Sequence, residues 1–202
     1  LENTTGGKVL PLEYLQSSPS FCRENKLASH LDGARVFNAA VASRVSLDKI
    51  RCNFASLSIC LSKGLGTPMG SVLCGSRELI KEARKYRKML GGGMRQAGIV
   101  AAAGLYALDN NIERLADDHV NAQLLATELA QIDGIELVAV NTNMLFIKVA
   151  HGYAELREAL FSQGIIFPKA ANKAGLIRLA THLDVTHHDI LRVVTEIKQL
   201  MR

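Results

Sequence analysis

The sequence predicts an α/β fold: one large α/β domain built of strands and covering helices, followed by a small α+β domain. Three observations predict it. Up to residue 111, short apolar runs alternate with helical patterns, as in a sheet covered on both faces. Beyond "DNN" the rhythm changes to short strands separated by two amphipathic helices. Two runs of the first half, "HLDGAR" and "CLSKG", also end on polar residues, and ligands of open α/β sheets bind at the carboxyl ends of strands.

The elements follow in order. "TTGGK" is a turn. "QSSPSFCRENK" (Gln16–Lys26) is a poor helix interior, because Pro19 lacks a backbone donor; the segment is expected either to be frayed or to form a helix beginning near Ser18 with Pro19 at its first position. "LASHLDGA" reads as a buried strand, "RVFNAAVASRV" as a helix, and "ASLSICLSKG" and "MGSVLCGS" as strands. Ser76 caps the helix "RELIKEARKYRKML", with Glu78 in its first turn, and Gly91–Gly93 end it. "RQAGIVAAAGLYALDNN" is apolar nearly all round and is expected to be a buried helix. A boundary near Ile112 gives residues 1–111 to the large domain and 112–202 to the small one. There, a long helix over Ile112–Gly134 precedes the strands "IELVAV", "NMLFIKV", "GIIFP" and "LIRLATH", with helices "GYAELREALFSQG" and "VTHHDILRVVTEIKQLM" between and after them.

Composition narrows the function. The 202 residues are 48% hydrophobic, enough for a buried core. No apolar run reaches membrane-spanning length, and the first residues carry no signal-peptide pattern, so a cytoplasmic or organelle-matrix protein without a membrane partner is expected. The net charge of +5 raises nucleic-acid binding. Trp is absent, however, and basic residues alternate with acidic ones, which suits small anionic molecules better. The four cysteines have no CxxC spacing and read as reduced, mostly buried thiols. "THHD" is an adjacent His pair whose side chains diverge on a helix, so no metal site is expected.

Lys63 is the first candidate for chemistry. A lone lysine at a strand end is usually solvated. Here apolar and small residues precede it, and Gly64, Gly66 and Gly70 let backbone approach a ligand closely. Such a lysine can form a Schiff base with a carbonyl. Asp32, at the other strand end, either caps the following helix or partners a protonated ring nitrogen. Arg35 is a first-turn surface residue or a contact to that ring. Arg178, between Ile177 and Leu179, is a charge among apolar neighbours that requires a partner. His30 is expected to face the core or a neighbouring element, and His182 lies near Arg178 without an assigned role.

The blocks "HLDGARVFNAAVA", "LSICLSKGLGTPMGSVLCGS", "RKMLGGGMRQAGIVAAAGLYAL" and "IRLATHLDVT", with "ENTTGGKVLPLEYL" before them, resemble the low-specificity L-threonine aldolases. The likeness covers nearly the whole chain, in order. It implies the pyridoxal-phosphate-dependent, aspartate-aminotransferase-like transferase fold, with a large domain incomplete at its N-terminus. It implies retro-aldol cleavage of L-threonine or L-allo-threonine to glycine and an aldehyde. Lys63 would hold the cofactor, Asp32 its ring nitrogen and Arg35 its phenolic oxygen. Ser62, Arg95 and Lys88 would serve the cofactor, Arg95 reaching the phosphate in a neighbouring subunit. Arg178 would bind the substrate carboxylate. A homo-oligomer, dimer or tetramer, with shared sites is implied. In that family a phosphate loop and a ring-stacking His precede the block matching "ENTTGG", and these residues contain neither. Two alternatives stay open at this level: a catalytically incomplete form acting through subunit association, and a β-elimination or transamination enzyme.

Overall fold

The computed structural model describes residues 6–51, 54–169 and 175–201. The chain divides into two compact units, one extending to Leu115 and one from Ala116 onward, the latter joined by Gly6 and Gly7.

The first unit contains α1 (Leu12–Glu24), β1 (His30–Gly33), α2 (Val36–Ser43), the short α3 (Leu47–Ile50), β2 (Ser56–Cys60), β3 (Ser71–Gly75), α4 (Arg77–Met89) and α5 (Gly98–Asn110). Its sheet has the order β1-β2-β3. β1 and β2 are parallel, with Asp32 opposite Ser58, and β3 runs antiparallel to β2, with Leu73 opposite Ser58. Alternation divides the sheet. Leu31, Leu57 and Ile59 enter the core, whereas His30 and Asp32 stay exposed and Ser56 and Ser58 are half-buried. The core is completed by Leu15 of α1, Val36 and Ala39 of α2, Ile50 of α3 and Leu61.

Gly33 is required where β1 meets β2. An added Cβ would lie 2.5 Å from Leu57 Cδ1 and 2.7 Å from the Ser58 carbonyl oxygen. Gly33→Ala is therefore expected to lose about 1–3 kcal/mol by overpacking and to shift the backbone beside Asp32. Thermal melting checks this, and an unchanged melting temperature would show that the two strands can separate freely.

Expectations for this unit are corrected at several points. α1 starts at Leu12 and runs through Pro19. Leu15 is buried, and the Ser17 and Ser18 hydroxyls donate to the Tyr14 carbonyl at 3.1 and 2.7 Å, so hydrophobic anchoring and side-chain bonding keep the helix despite the proline. The expected buried helix α5 is largely open: Ile99, Leu105 and Tyr106 are 82, 64 and 65% exposed. Only Gly104 and Ala107 are buried, because an apolar helix needs cover on every side and this chain covers one line of it. β3 is exposed along its length, so the sheet is not covered on both faces. Of the two settings expected for His30, the structure shows the neighbouring element and not the core: its Nδ1 lies 2.8 Å from Ser56 Oγ of β2 on the exposed face. The cysteines are also less buried than expected: Cys22 and Cys60 are half-buried and Cys74 is exposed, while Cys52 lies outside the described residues.

The second unit holds most of α6 (Leu115–Leu129), then β4 (Ile135–Asn141), β5 (Met144–Val149), α7 (Tyr153–Ser162), β6 (Ile177–Ala180) and α8 (His187–Leu200). Its antiparallel sheet has the order β4-β5-β6. Leu145 and Ile147 of β5 and Ile177 and Leu179 of β6 pack on Leu125 and Leu129 of α6, Leu160 of α7 and Ile190 of α8. Each such side chain contributes roughly 1.5–3 kcal/mol by leaving water. The "THHD" segment begins α8 as a capping box. Thr186 Oγ1 accepts from the Asp189 amide, and the Asp189 carboxylate accepts from the Thr186 amide at 2.9 Å. The Thr186 hydroxyl, 2.6 Å from the same carboxylate oxygen, and the Thr186 amide hold the Asp189 carboxyl below its ordinary value.

"GIIFP" is not a strand. Ile165 and Phe167 are buried and Ile166 exposed, the alternation of a strand, but among the described residues no strand bonds to it. Side chains hold it instead: Tyr153 Oη donates to the Pro168 carbonyl, and Arg192 to the Gln163 carbonyl at 2.5 Å. The helix expected over Ile112–Gly134 is shortened to Leu115–Leu129. Among the described residues no helix is long and apolar enough to cross a membrane.

Candidate active site

The candidate residues fall into three groups. Asp32 lies one residue before the end of β1, and Lys63 three residues beyond the end of β2. Because β1 and β2 are parallel neighbours, both residues occupy the same, carboxyl, end of the sheet. The chain reverses after β2 in a loop from Leu61 to Gly70. The Leu61 amide donates to the Gly70 carbonyl at 3.0 Å, the Thr67 amide to the Leu61 carbonyl at 3.2 Å, and the Gly66 amide to the Lys63 carbonyl at 2.9 Å. Gly66 and Gly70 have φ of 74° and 118°, values that L side chains rarely adopt. Leu61 and Leu65 anchor the loop in the core, and Lys63 is half-buried between them.

Asp32 does not cap α2, whose N-cap residue is Arg35. Its Oδ1 accepts from the Ala34 amide at 3.0 Å, shaping the turn into α2, while the side chain remains exposed. Arg35 is the N-cap residue of α2 and is half-buried. Ser62 is exposed, with its Oγ 3.6 Å from Cys60 Sγ. Cys60 escaped the sequence reading, although its "CLSK" setting gave the signal. Burial pushes its thiol up, but hydrogen bonding to Ser62, the Lys63 charge and Ser71 outweigh this, leaving it below its ordinary value.

Lys88 and Arg95 form the second group. Lys88 lies in the last turn of α4, a helix with no buried residue, and its stem passes over Gly93, where a Cβ would meet its Cδ at 3.1 Å. Arg95 is exposed in the turn before α5. No hydrogen bond or ion pair joins either of them to the Asp32–Lys63 group among the described residues.

The third group is in the second unit. Arg178 lies on β6 opposite Phe146 of β5, on the face away from Ile177 and Leu179. It lines a cavity of about 380 Å³ with Ile166, Phe167, Pro168, Ala180 and His182. No hydrogen bond or ion pair joins its guanidinium to the described residues, so its donors are available. His182 Nδ1 is 3.5 Å from Asp184 Oδ2 at the rim. Asn143 and Thr181, beneath this rim, were also missed; buried polar residues flanking apolar runs were the available signal.

The donor set fits pyridoxal phosphate in kind. A half-buried amine and an exposed carboxylate share one end of a parallel strand pair, and left-handed glycines shape the loop beside the amine. Among the described residues no group of His, Cys, Asp and Glu is arranged to hold a metal ion.

Comparison with known proteins gives consistent matches. A family model described as Beta-eliminating lyase matches residues 1–151. The low specificity L-threonine aldolase of Escherichia coli strain K12 is 49% identical over 194 residues, covering 96% of this chain and 57% of that protein. Low-specificity L-threonine aldolase 1 of Arabidopsis thaliana is 39% identical over 210 residues, covering 100% of this chain and 58% of that protein. The chain thus spans less than two thirds of the length of these relatives. Among solved structures, threonine aldolase from Leishmania major superposes with a TM-score of 0.77 at 23% identity, over 99% of this chain and 60% of that one, a likeness of fold.

Proposed function

The chain belongs to the beta-eliminating lyase family, and from that premise we propose that its protein is a pyridoxal-phosphate-dependent aldolase. Its substrates are L-threonine, L-allo-threonine and related β-hydroxy-α-amino acids, and its products are glycine and an aldehyde. The observation that supports this reading best is the placement of Lys63 and Asp32 at the carboxyl ends of adjacent parallel strands. The near-50% identity to an enzyme named for this reaction supports the same choice of chemistry.

Pyridoxal phosphate, when bound, supplies an electron sink for the pair released as a bond to the substrate α-carbon breaks. Lys63 is the amine that holds the cofactor's aldehyde carbon. The Asp32 carboxylate would keep a proton on the ring nitrogen, and Arg35 would serve the phenolic oxygen. Ser62, Lys88 and Arg95 provide hydroxyl and cationic groups for the cofactor, with Arg95 serving the phosphate. Arg178 pairs with the substrate α-carboxylate through its two-pronged guanidinium. Holding that carboxylate selects which α-carbon bond is cleaved. In the retro-aldol step the Cα–Cβ bond breaks, the β-hydroxyl gives up its proton and becomes the aldehyde oxygen, and a proton returns to Cα to give glycine.

The protein is a homo-oligomer in this reading, and the apolar side chains of α5 that the single chain leaves open suit such cover. It acts in the cytoplasm. The test is product analysis of the intact protein with pyridoxal phosphate and L-threonine. Glycine and acetaldehyde are expected in a one-to-one ratio. Formation of 2-oxobutanoate and ammonia, or of a 2-oxo acid without aldehyde, would instead assign elimination or transamination.

A further inference from the structure

β6 is a short edge strand. It has four residues and, among the described residues, bonds to β5 on one side only. Such a strand frays readily unless its ends are fixed. Its carboxyl end is held by hydrogen bonds among buried groups. The Thr181 amide donates to the Asn143 carbonyl at 2.9 Å, and Asn143 Nδ2 donates back to the Thr181 carbonyl at 2.8 Å. Thr181 Oγ1 donates to the Asp118 carbonyl of α6 at 2.6 Å. The Asn143 side chain thus prolongs the β5–β6 ladder past its last backbone pair, and the Thr181 hydroxyl ties the same point to a helix.

Thr181 and Asn143 are 1% and 3% exposed. Asn143 Oδ1 is buried with no hydrogen-bond partner among the described residues. An amide buried with one end unsatisfied is less favourable than an apolar residue of the same size. Stability alone therefore gives a poor account of Asn143, and the donor it directs at Thr181 gives a better one. Thr181 is three residues beyond Arg178, which projects from the opposite face of β6 into the cavity.

We infer that Asn143 and Thr181 are positioning residues for Arg178: they fix the end of β6 so that the guanidinium meets a ligand carboxylate in its two-pronged geometry. The inference rests on the reading of Arg178 as the carboxylate-binding residue. Strand drift of 1 Å disrupts a bidentate pair, which depends on two aligned bonds, while leaving contacts elsewhere on the ligand intact.

The experiment compares two inhibitors of threonine cleavage by the intact, cofactor-loaded protein: glycine, which carries a carboxylate, and 2-aminoethanol, which does not. In Asn143→Leu and Thr181→Val, the inhibition constant for glycine and KM for L-threonine are expected to rise on the order of tenfold. The constant for 2-aminoethanol and kcat are expected to stay within about threefold. Thr181→Ser, which keeps the hydroxyl, restores the glycine value. Equal weakening of both inhibitors would reveal general loosening and overturn the inference, as would unchanged glycine inhibition. If Asn143→Leu fails to fold, the Thr181 pair decides the question alone. Arg178→Ala is measured alongside. If it weakens glycine while the other variants do not, Arg178 keeps its role and only the positioning inference fails. If Arg178→Ala leaves glycine unaffected, the reading of Arg178 fails and the inference falls with it.

Discussion

Lys63→Ala is expected to abolish aldehyde release from L-threonine, with kcat falling by about four orders of magnitude or more, as for loss of a covalent catalytic group. Alanine should leave the fold in place. The Leu61–Gly70 loop is closed by backbone bonds, Leu61 and Leu65 anchor it in the core, and the Lys63 side chain is only half-buried. Melting temperature should therefore change little while activity disappears. Steady-state assays paired with thermal melting check both halves. Activity retained within about tenfold, a loss too small for the group that holds the cofactor, would remove Lys63 from that role.

Arg178→Lys is expected to raise KM for L-threonine by about 10- to 100-fold, and Arg178→Ala by at least as much. A hydrogen bond to a charged group contributes roughly 1.5–3 kcal/mol, about one to two orders of magnitude in affinity. Lysine keeps the charge but presents it as a single point, so only the second bond and the planar fork are lost. The strand should tolerate both changes, because Arg178 projects away from the core that Ile177 and Leu179 enter. Substrate-saturation kinetics read the effect. An unchanged KM in both variants would place carboxylate recognition elsewhere.

Much of this arrangement was legible in the sequence where an apolar run ended in a polar one. "HLDG" and "SICLSK" marked two strands and, at or just beyond their ends, Asp32 and Lys63, because alternation and a switch from apolar to polar residues are local in sequence. Ser76 and the Gly91–Gly93 segment bounded α4 for the same reason. The misses depended on non-local partners. Nothing in "QSSPSF" says that Leu15 will find a core strong enough to carry Pro19 inside a helix. "GIIFP" has strand alternation, but a strand also needs a neighbour with free backbone groups, and Tyr153 and Arg192 hold this segment instead. The apolar composition of α5 read as burial, but burial depends on what packs against a helix, and among the described residues only one line of it, Gly104 and Ala107, is covered. At the site, residue types and spacing were readable. The link between Asn143 and Thr181 was not, since it joins residues 38 positions apart.

The most direct test of the account is whether Lys63 holds the cofactor. The intact protein is mixed with pyridoxal phosphate, its visible absorption is recorded, and the mixture is reduced with borohydride and digested for mass spectrometry, with Lys63→Ala in parallel. The account predicts a visible band absent from Lys63→Ala and a pyridoxyl adduct on the peptide containing Lys63. An equal band in both proteins, or an adduct located mainly on another lysine, would contradict it.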